Sequence, residues 1–230
     1  MWWFMNNPAI ANAAQDLLKA IWCLREVYCP QAEHNPLLCL NPEIACRHLG
    51  YTYSCITEFG DLRFTGGRII GQLDIPHRRV IVAGNLPVAE QRFTAAHEIG
   101  HLIMHINDGD MSMHRERFDF GNDTNRPPRE KEADHFAACF LMPEKLVRHE
   151  FSIRFGTSEQ LRMTEQLAWQ LAPTNPDQLL RVSKDSLDRE LALARYEGSH
   201  KRFTSLADMF RVSAKAMSRR LKELKLVQWP

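Results

Sequence analysis

The chain has 230 residues, 44% of them hydrophobic, which is enough to bury a core and to leave room for a second small domain. The apolar start at Met1 is too short for a signal peptide and lacks its basic residues, and no stretch approaches membrane-spanning length. With a formal net charge of +1 and six cysteines that lack the close pairing of a zinc knuckle, we expect a soluble, cytoplasmic protein with free, buried thiols.

The first third of the chain predicts helices followed by a small sheet. An amphipathic helix is expected from about Pro8 to Val27, and a short helix from Pro42 to Leu49 follows a proline-rich connector. Three segments then have the alternation and β-branching of strands, and Gly60, Gly66 and Gly67 mark a turn after the first of them. The predicted strands are Tyr51–Glu58, Arg68–Ile75 and Arg79–Ala83.

The next segment predicts a buried helix that carries charge. Apolar residues recur at helical spacing from Val88 to Ile103, and this run includes the pentapeptide His-Glu-Ile-Gly-His at 97–101. Because residues four apart share a helix face, His97 and His101 can both bind one zinc ion, while Glu98, rotated by about 100°, can reach water beside it. Burying such groups is costly unless a metal or hydrogen bonds compensate, so the pattern predicts a Zn²⁺ site with Glu98 as catalytic base.

A catalytic zinc site needs a third protein ligand. An extended pattern with a further histidine fails, because Met104 stands where a glycine is required, so we expect a carboxylate from a second helix at about 127–142. Glu130 shares its face with small residues that would allow close approach, and with Asp134, which could accept a hydrogen bond from a zinc-bound imidazole. We favour Glu130 as the ligand, although Glu132 and a purely helix-stabilising role for Glu130 stay open.

Two stretches together, Arg92–Leu102 and Glu130–Ala137 with the following Leu-Met-Pro at 141–143, resemble the ImmA/IrrE family of metallopeptidases. The resemblance covers mainly Cys46–Pro143, with a lead-in from Ala45 to Tyr53. It implies a zincin-like α+β fold, in which a small mixed sheet accompanies the His-Glu-x-x-His helix and the glutamate helix. It also implies cytoplasmic cleavage of a transcriptional repressor. By the same resemblance, the strand Arg79–Ala83 would be an edge strand, to which an extended peptide could add by main-chain pairing. An ordinary edge protected by the charges of Arg78 and Arg79 stays open.

Between the two helices, the segment Ile106–Arg126 is long, charged and without periodicity, which predicts a lid or a disordered loop. His105 directly precedes this segment and His114 lies within it. Either could stabilise an oxyanion, but a lone histidine is more often exposed or satisfied in the core, so neither is assigned a role.

The last third of the chain reads as helical and ends in a basic segment. Helices are predicted at Ser158–Leu171 and Gln178–Tyr196. Residues 203–226 resemble a helix-turn-helix in which Ser213 caps the second helix. The cations expected to be free for phosphates or for an acidic protein surface are Lys215, Arg219, Arg220 and Lys222.

These features predict a zincin-like metallopeptidase domain at 1–155 and a helical region at 156–230. The function they favour is a zinc-dependent endopeptidase that cleaves a transcriptional repressor or similar regulatory protein, with His97, His101 and Glu130 as metal ligands. The alternative is a non-catalytic DNA- or protein-binding regulator that retains the metal site. Glu98 favours the enzyme, because a purely structural site has no need of a base at that position.

Overall fold

The computed structural model describes residues 7–57, 68–106, 113–118, 126–157, 160–182, 186–195 and 204–228. The chain divides into two compact units, Met1–Leu141 and Met142–Pro230. The sequence-based boundary after residue 155 falls inside the second unit.

The first unit contains five α-helices and four strands among its described residues. Asn7 and Asn41 begin two of the helices, since the side-chain oxygen of each accepts a backbone N–H and a proline occupies the next position. The elements are α1 (Pro8–Cys23), α2 (Arg25–Tyr28), α3 (Pro42–His48), β1 (Thr52–Ile56), β2 (Arg68–Asp74), β3 (Arg79–Ala83), α4 (Val88–His105), β4 (Met113–Phe118) and α5 (Pro128–Leu141).

The four strands form one mixed sheet in the order β1-β3-β2-β4. Strand β3 runs parallel to β1, with Thr52 opposite Arg79, and antiparallel to β2, with Gly71 opposite Val82. The prediction that Arg79–Ala83 is an edge strand is therefore wrong. Strand β1 pairs directly with β3, although β2 lies between them in sequence, and no local sequence pattern specifies such a pairing. Among the described strands, β1 and β4 form the edges of the sheet.

Strand β4 also corrects the interpretation of Ile106–Arg126 as a segment without regular structure. Its described part pairs antiparallel with β2 from Arg68 opposite Phe118 to Asp74 opposite Met113. The side chain of His114 and the predicted turn at Gly60, Gly66 and Gly67 lie outside the described residues.

Helix α4 connects the sheet to the helical layer of the first unit. It packs against β2 and β3 on one side and against α5 on another, and α1 packs against α5 in turn. Leu73 of β2, Val80 and Val82 of β3, Ile99 of α4 and Phe136 of α5 are all fully buried in this core. The two helices that carry the predicted ligands thus meet inside the unit.

The second unit is mainly helical, and it departs from the prediction at two points. Its described elements are α6 (Glu144–Phe155), β5 (Leu161–Arg162), α7 (Glu165–Leu171), α8 (Pro176–Arg181), α9 (Leu187–Ala194), α10 (Leu206–Phe210), α11 (Ala214–Glu223) and β6 (Val227–Gln228). The helix predicted at Ser158–Leu171 begins only at Glu165, because residues 161–162 pair with β6 instead. The helix predicted at Gln178–Tyr196 is divided into α8 and α9.

Helices α10 and α11 are joined by a short turn. Arg211 has a left-handed backbone with φ of 54°, and the Ser213 side chain caps α11 by accepting the N–H of Ala216. The expectation that Arg220 is free for phosphates is wrong. Its side chain is buried, where Nε donates to the Met142 carbonyl oxygen at 3.0 Å and Nη1 lies 2.8 Å from Glu223 Oε1.

Two expectations from composition concern the thiols and the membrane. All six cysteines are free, but only Cys39, Cys46 and Cys139 are buried, whereas Cys23 and Cys55 are exposed and Cys29 is partly exposed. Burial raises the pKa of the Cys46 thiol to about 12, which keeps it protonated and unreactive at neutral pH. None of the described helices is both long and apolar enough to cross a membrane.

Candidate metal centre

Helix α4 presents two imidazoles from successive turns to one buried point. The side chains of His97 and His101 are each 1% exposed, their ring centroids lie 4.7 Å apart, and their Nε2 atoms lie 3.0 Å apart. This proximity follows from the four-residue spacing, which places both side chains on one face of the helix.

Helix α5 brings a carboxylate to the same point. Glu130 Oε2 lies 3.2 Å from His97 Nε2, and Glu130 Oε1 lies 3.4 Å from His101 Nε2. The structure thus brings together the three side chains that the sequence predicted as ligands. Each offers one ligand atom, and these atoms all lie within 4.8 Å of one another.

The donor set fits a divalent metal ion. Zinc in a tetrahedral site binds nitrogen and oxygen at about 2.0–2.1 Å, which corresponds to about 3.3–3.4 Å between neighbouring ligand atoms. The observed separations of 3.0, 3.2 and 3.4 Å are close to that value. Two imidazoles and one carboxylate are also the ligand types that catalytic zinc sites use when one coordination position is left for solvent.

Small residues allow the two helices to approach closely beside the site. A Cβ atom placed on Gly100 of α4 would lie 3.1 Å from the Cα atom of Ala133 in α5, which is tighter than ordinary van der Waals contact. Ala133 is fully buried and follows Glu130 by three residues, so it shares the face that carries the carboxylate. Close packing at this point therefore sets the distance between the carboxylate and the two histidines.

Asp134 contacts the outer nitrogen of His97. Its Oδ1 lies 2.9 Å from His97 Nδ1, a position from which a carboxylate can support a metal-binding histidine. If Nδ1 carries the proton and donates it to Asp134, Nε2 keeps its lone pair directed at the group formed with His101 and Glu130.

The two remaining candidates, Glu98 and Glu132, lie in different surroundings. Glu98 is completely buried in α4, next to His97 in sequence. Glu132 faces another partner, since its Oε2 lies 3.6 Å from Nε2 of the buried His105. The geometry thus groups Glu130, and not Glu132, with the paired histidines.

One residue near the site has no place in the sequence-based expectations. Arg126 directs Nη2 to Glu130 Oε2 at 3.6 Å and Nε to Asp134 Oδ2 at 3.2 Å. The sequence shows a four-residue spacing between Arg126, Glu130 and Asp134, but Arg126 precedes α5, so helix periodicity alone does not predict its contacts with the two carboxylates.

A family model described as Peptidase_M78, IrrE N-terminal-like domain, matches residues 62–172. This match to an M78 peptidase domain covers just under half of the chain. The family resemblance inferred from the two motifs is thereby confirmed, and both motifs lie inside the match. A comparison with curated proteins finds no match.

The residue boundaries of the M78 match differ from those of the two compact units. The match begins after the predicted lead-in at Ala45–Tyr53 and ends in α7, within the second unit. The domain boundary at residue 155 therefore stays a prediction. At the level that the match supports, the chain carries a metallopeptidase-like domain within an α+β fold.

Proposed function

We propose that the M78 domain is a zinc-dependent endopeptidase in which His97, His101 and Glu130 hold the metal. The observation that carries the proposal is the meeting of these three ligand atoms within 4.8 Å. On the helix that carries the two histidines, the completely buried Glu98 directly follows His97. A His-His-Glu set leaves one tetrahedral position for water or substrate, as hydrolysis requires.

Each protein group has a defined part in this reaction. When bound, the metal ion supplies positive charge that polarises the peptide carbonyl and makes nearby water easier to deprotonate. Glu98 takes a proton from the attacking water and later delivers it to the leaving amine. Asp134 holds His97 in the tautomer that binds through Nε2, because it lies 2.9 Å from Nδ1.

The proposed substrate is a regulatory protein such as a transcriptional repressor, which would place the reaction in the cytoplasm. This part rests on the resemblance to the ImmA/IrrE family. Peptidases bind extended chains, and a sheet edge offers unpaired main-chain groups to such a chain. Among the described strands, β4 is an edge that follows the metal helix in sequence, so it is a better candidate for this pairing than the central strand β3.

The role of Glu98 is tested by Glu98→Gln, with Glu90→Gln as matched control. Glu90 is exposed in the first turn of the same helix. Both variants should bind Zn²⁺, measured by competition with a chromogenic chelator. Only Glu98→Gln should lose cleavage, by about 100-fold or more, of a repressor encoded beside the gene. Cleavage that survives in Glu98→Gln, or that persists in the wild type after the metal is chelated, would refute the proposal.

A second candidate function, DNA binding by the segment at 203–226, is favoured by the short turn between α10 and α11 and by the cations on α11. Lys215 and Lys222 are exposed, although Lys222 also lies 3.4 Å from Glu190. The burial of Arg220 removes one of the four cations expected to be free, so we rank this function below peptide hydrolysis. The full-length Glu98→Gln protein should bind duplex DNA in a salt-dependent manner, and Lys215→Gln should weaken that binding. No retention at low salt excludes this function.

A further inference from the structure

Arg126 lies two residues before the start of α5 at Pro128 and contacts Glu130 and Asp134 of the candidate metal centre. Its Nη2 is 3.6 Å from Glu130 Oε2, and its Nε is 3.2 Å from Asp134 Oδ2. The three side chains are between 18% and 27% exposed, so water screens these contacts only in part.

The same two carboxylates contact the two ring nitrogens of His97. Glu130 Oε2 faces Nε2 at 3.2 Å, and Asp134 Oδ1 faces Nδ1 at 2.9 Å. Arg126 therefore closes a ring of contacts that runs from Glu130 through His97 to Asp134 and back. A rotation of either carboxylate would break one contact with the guanidinium and one with the imidazole.

An arginine at this position is unfavourable for the helix alone. Arg126 stands just ahead of the N-terminus of α5, where the helix dipole favours negative charge and disfavours a cation. Its guanidinium directs two nitrogens at two different carboxylates in ion-pair contacts, an arrangement that the single ammonium group of lysine reproduces less well. The cation is unfavourable for the helix, and it contacts two carboxylates of the site. Both observations indicate that Arg126 acts at the site and not in helix formation.

We propose that Arg126 is a positioning residue that fixes the orientations of Glu130 and Asp134 for metal binding. This inference rests on the proposed function of the same site, because it takes Glu130 as a ligand. Arg126 acts through the two carboxylates: it holds Glu130 toward the histidines and holds Asp134 against His97 Nδ1.

The sign of the change in metal affinity separates this role from simple electrostatics. Removal of a nearby cation should by itself tighten the binding of Zn²⁺, because like charges repel. Loss of a positioning contact should weaken it, and losses of outer-shell partners typically cost about 10–100-fold in metal affinity or activity. We therefore expect Arg126→Gln to bind Zn²⁺ about 10-fold more weakly than the wild type.

Two further variants sharpen the test. Arg126→Lys keeps the charge but not the planar two-acceptor geometry, so its affinity should lie between those of the wild type and Arg126→Gln. Arg129→Gln removes the same charge from an exposed position in the first turn of α5 and should not weaken the affinity. Affinities come from competition with a chromogenic chelator, and the visible absorption of bound Co²⁺ reports any change in ligand geometry.

Thermal unfolding in the presence of a chelator identifies variants that fail to fold, and a variant without a cooperative transition is replaced by Arg126→Met. Unchanged or tighter Zn²⁺ binding in a folded Arg126→Gln protein overturns the positioning role, as does an equal loss in Arg129→Gln. Failure of the proposed function looks different. If the site holds no metal, the wild type itself binds neither Zn²⁺ nor Co²⁺, and if the site holds metal without catalysis, the wild type binds Zn²⁺ but does not cleave the repressor.

Discussion

Helices α4 and α5 meet at Gly100, where we expect even an added methyl group to change the stability and the metal affinity. In Gly100→Ala the new Cβ would lie 3.1 Å from Ala133 Cα, 3.2 Å from Ala133 O and 3.2 Å from Phe136 Cβ. Two of these three neighbours are backbone atoms, so they can give way only if α5 itself shifts. Glu130 lies one turn earlier on α5, and such a shift would move its carboxylate relative to the two histidines.

Two opposing contributions set the expected change in the free energy of unfolding of Gly100→Ala. Alanine in place of glycine favours an α-helix by about 0.8–1 kcal/mol. Overpacking a well-packed core typically costs about 1–3 kcal/mol. Since the overlaps are a few tenths of an ångström and fall mainly on backbone, we expect the second term to win, with a net loss of about 1 kcal/mol in the free energy of unfolding of the metal-free protein. That loss corresponds to a decrease of about 2–4 °C in Tm for a chain of this size.

The assay compares Gly100→Ala with Gly84→Ala in chemical denaturation and in Zn²⁺ competition. A Cβ on Gly84 would meet its nearest neighbour, Ile56 O, at 3.4 Å, which is ordinary contact, so that variant should match the wild type in Zn²⁺ affinity. Gly100→Ala should bind Zn²⁺ more weakly and be less stable. If Gly100→Ala is more stable than the wild type and binds Zn²⁺ equally well, helix propensity has won and close packing does not set the site geometry.

Three further predictions follow from particular contacts. Asp134→Ala should weaken Zn²⁺ binding about 10–100-fold in chelator competition, because His97 loses the partner of its Nδ1; unchanged affinity would contradict that role. Burial alone would raise the pKa of Asp74, but hydrogen bonds, chiefly from Arg79, lower this pKa below its ordinary value of 3.8. The ionised carboxylate therefore stabilises the fold above the ordinary pKa, and this stabilisation is lost as the pH falls through the lower pKa of the folded state. Denaturant unfolding of Asp74→Asn should therefore show a smaller stability loss between pH 5 and pH 2 than the wild type, and parallel curves would refute the assignment. Arg220→Met should lower the midpoint of thermal unfolding, since it removes the ion pair between the buried Arg220 and the Glu223 carboxylate, which is only 12% exposed, whereas a DNA-contact role predicts no change in stability.

The sequence alone was most informative where the decisive interactions are local. The spacing of His97 and His101 fixes their shared helix face, whatever the rest of the chain does. Strand β3 occupies the predicted bounds, because alternation and β-branching over five residues depend on no distant partner. The choice of Glu130 over Glu132 also rested on a local pattern, the small residues of its helix face, and the structure brings Glu130 and not Glu132 to the histidines.

Only the tertiary structure decided what depends on residues far apart in the chain. The place of β3 inside the sheet depends on its pairing with β1. Residues 161–162 form a strand only through pairing with β6, which lies more than sixty residues later in the chain. Burial of Arg220 likewise requires the Met142 carbonyl, which the basic pattern of α11 does not reveal. A helix face is specified within one or two turns of sequence, whereas strand order and the pairing of buried charges are selected by the free energy of the whole packed unit.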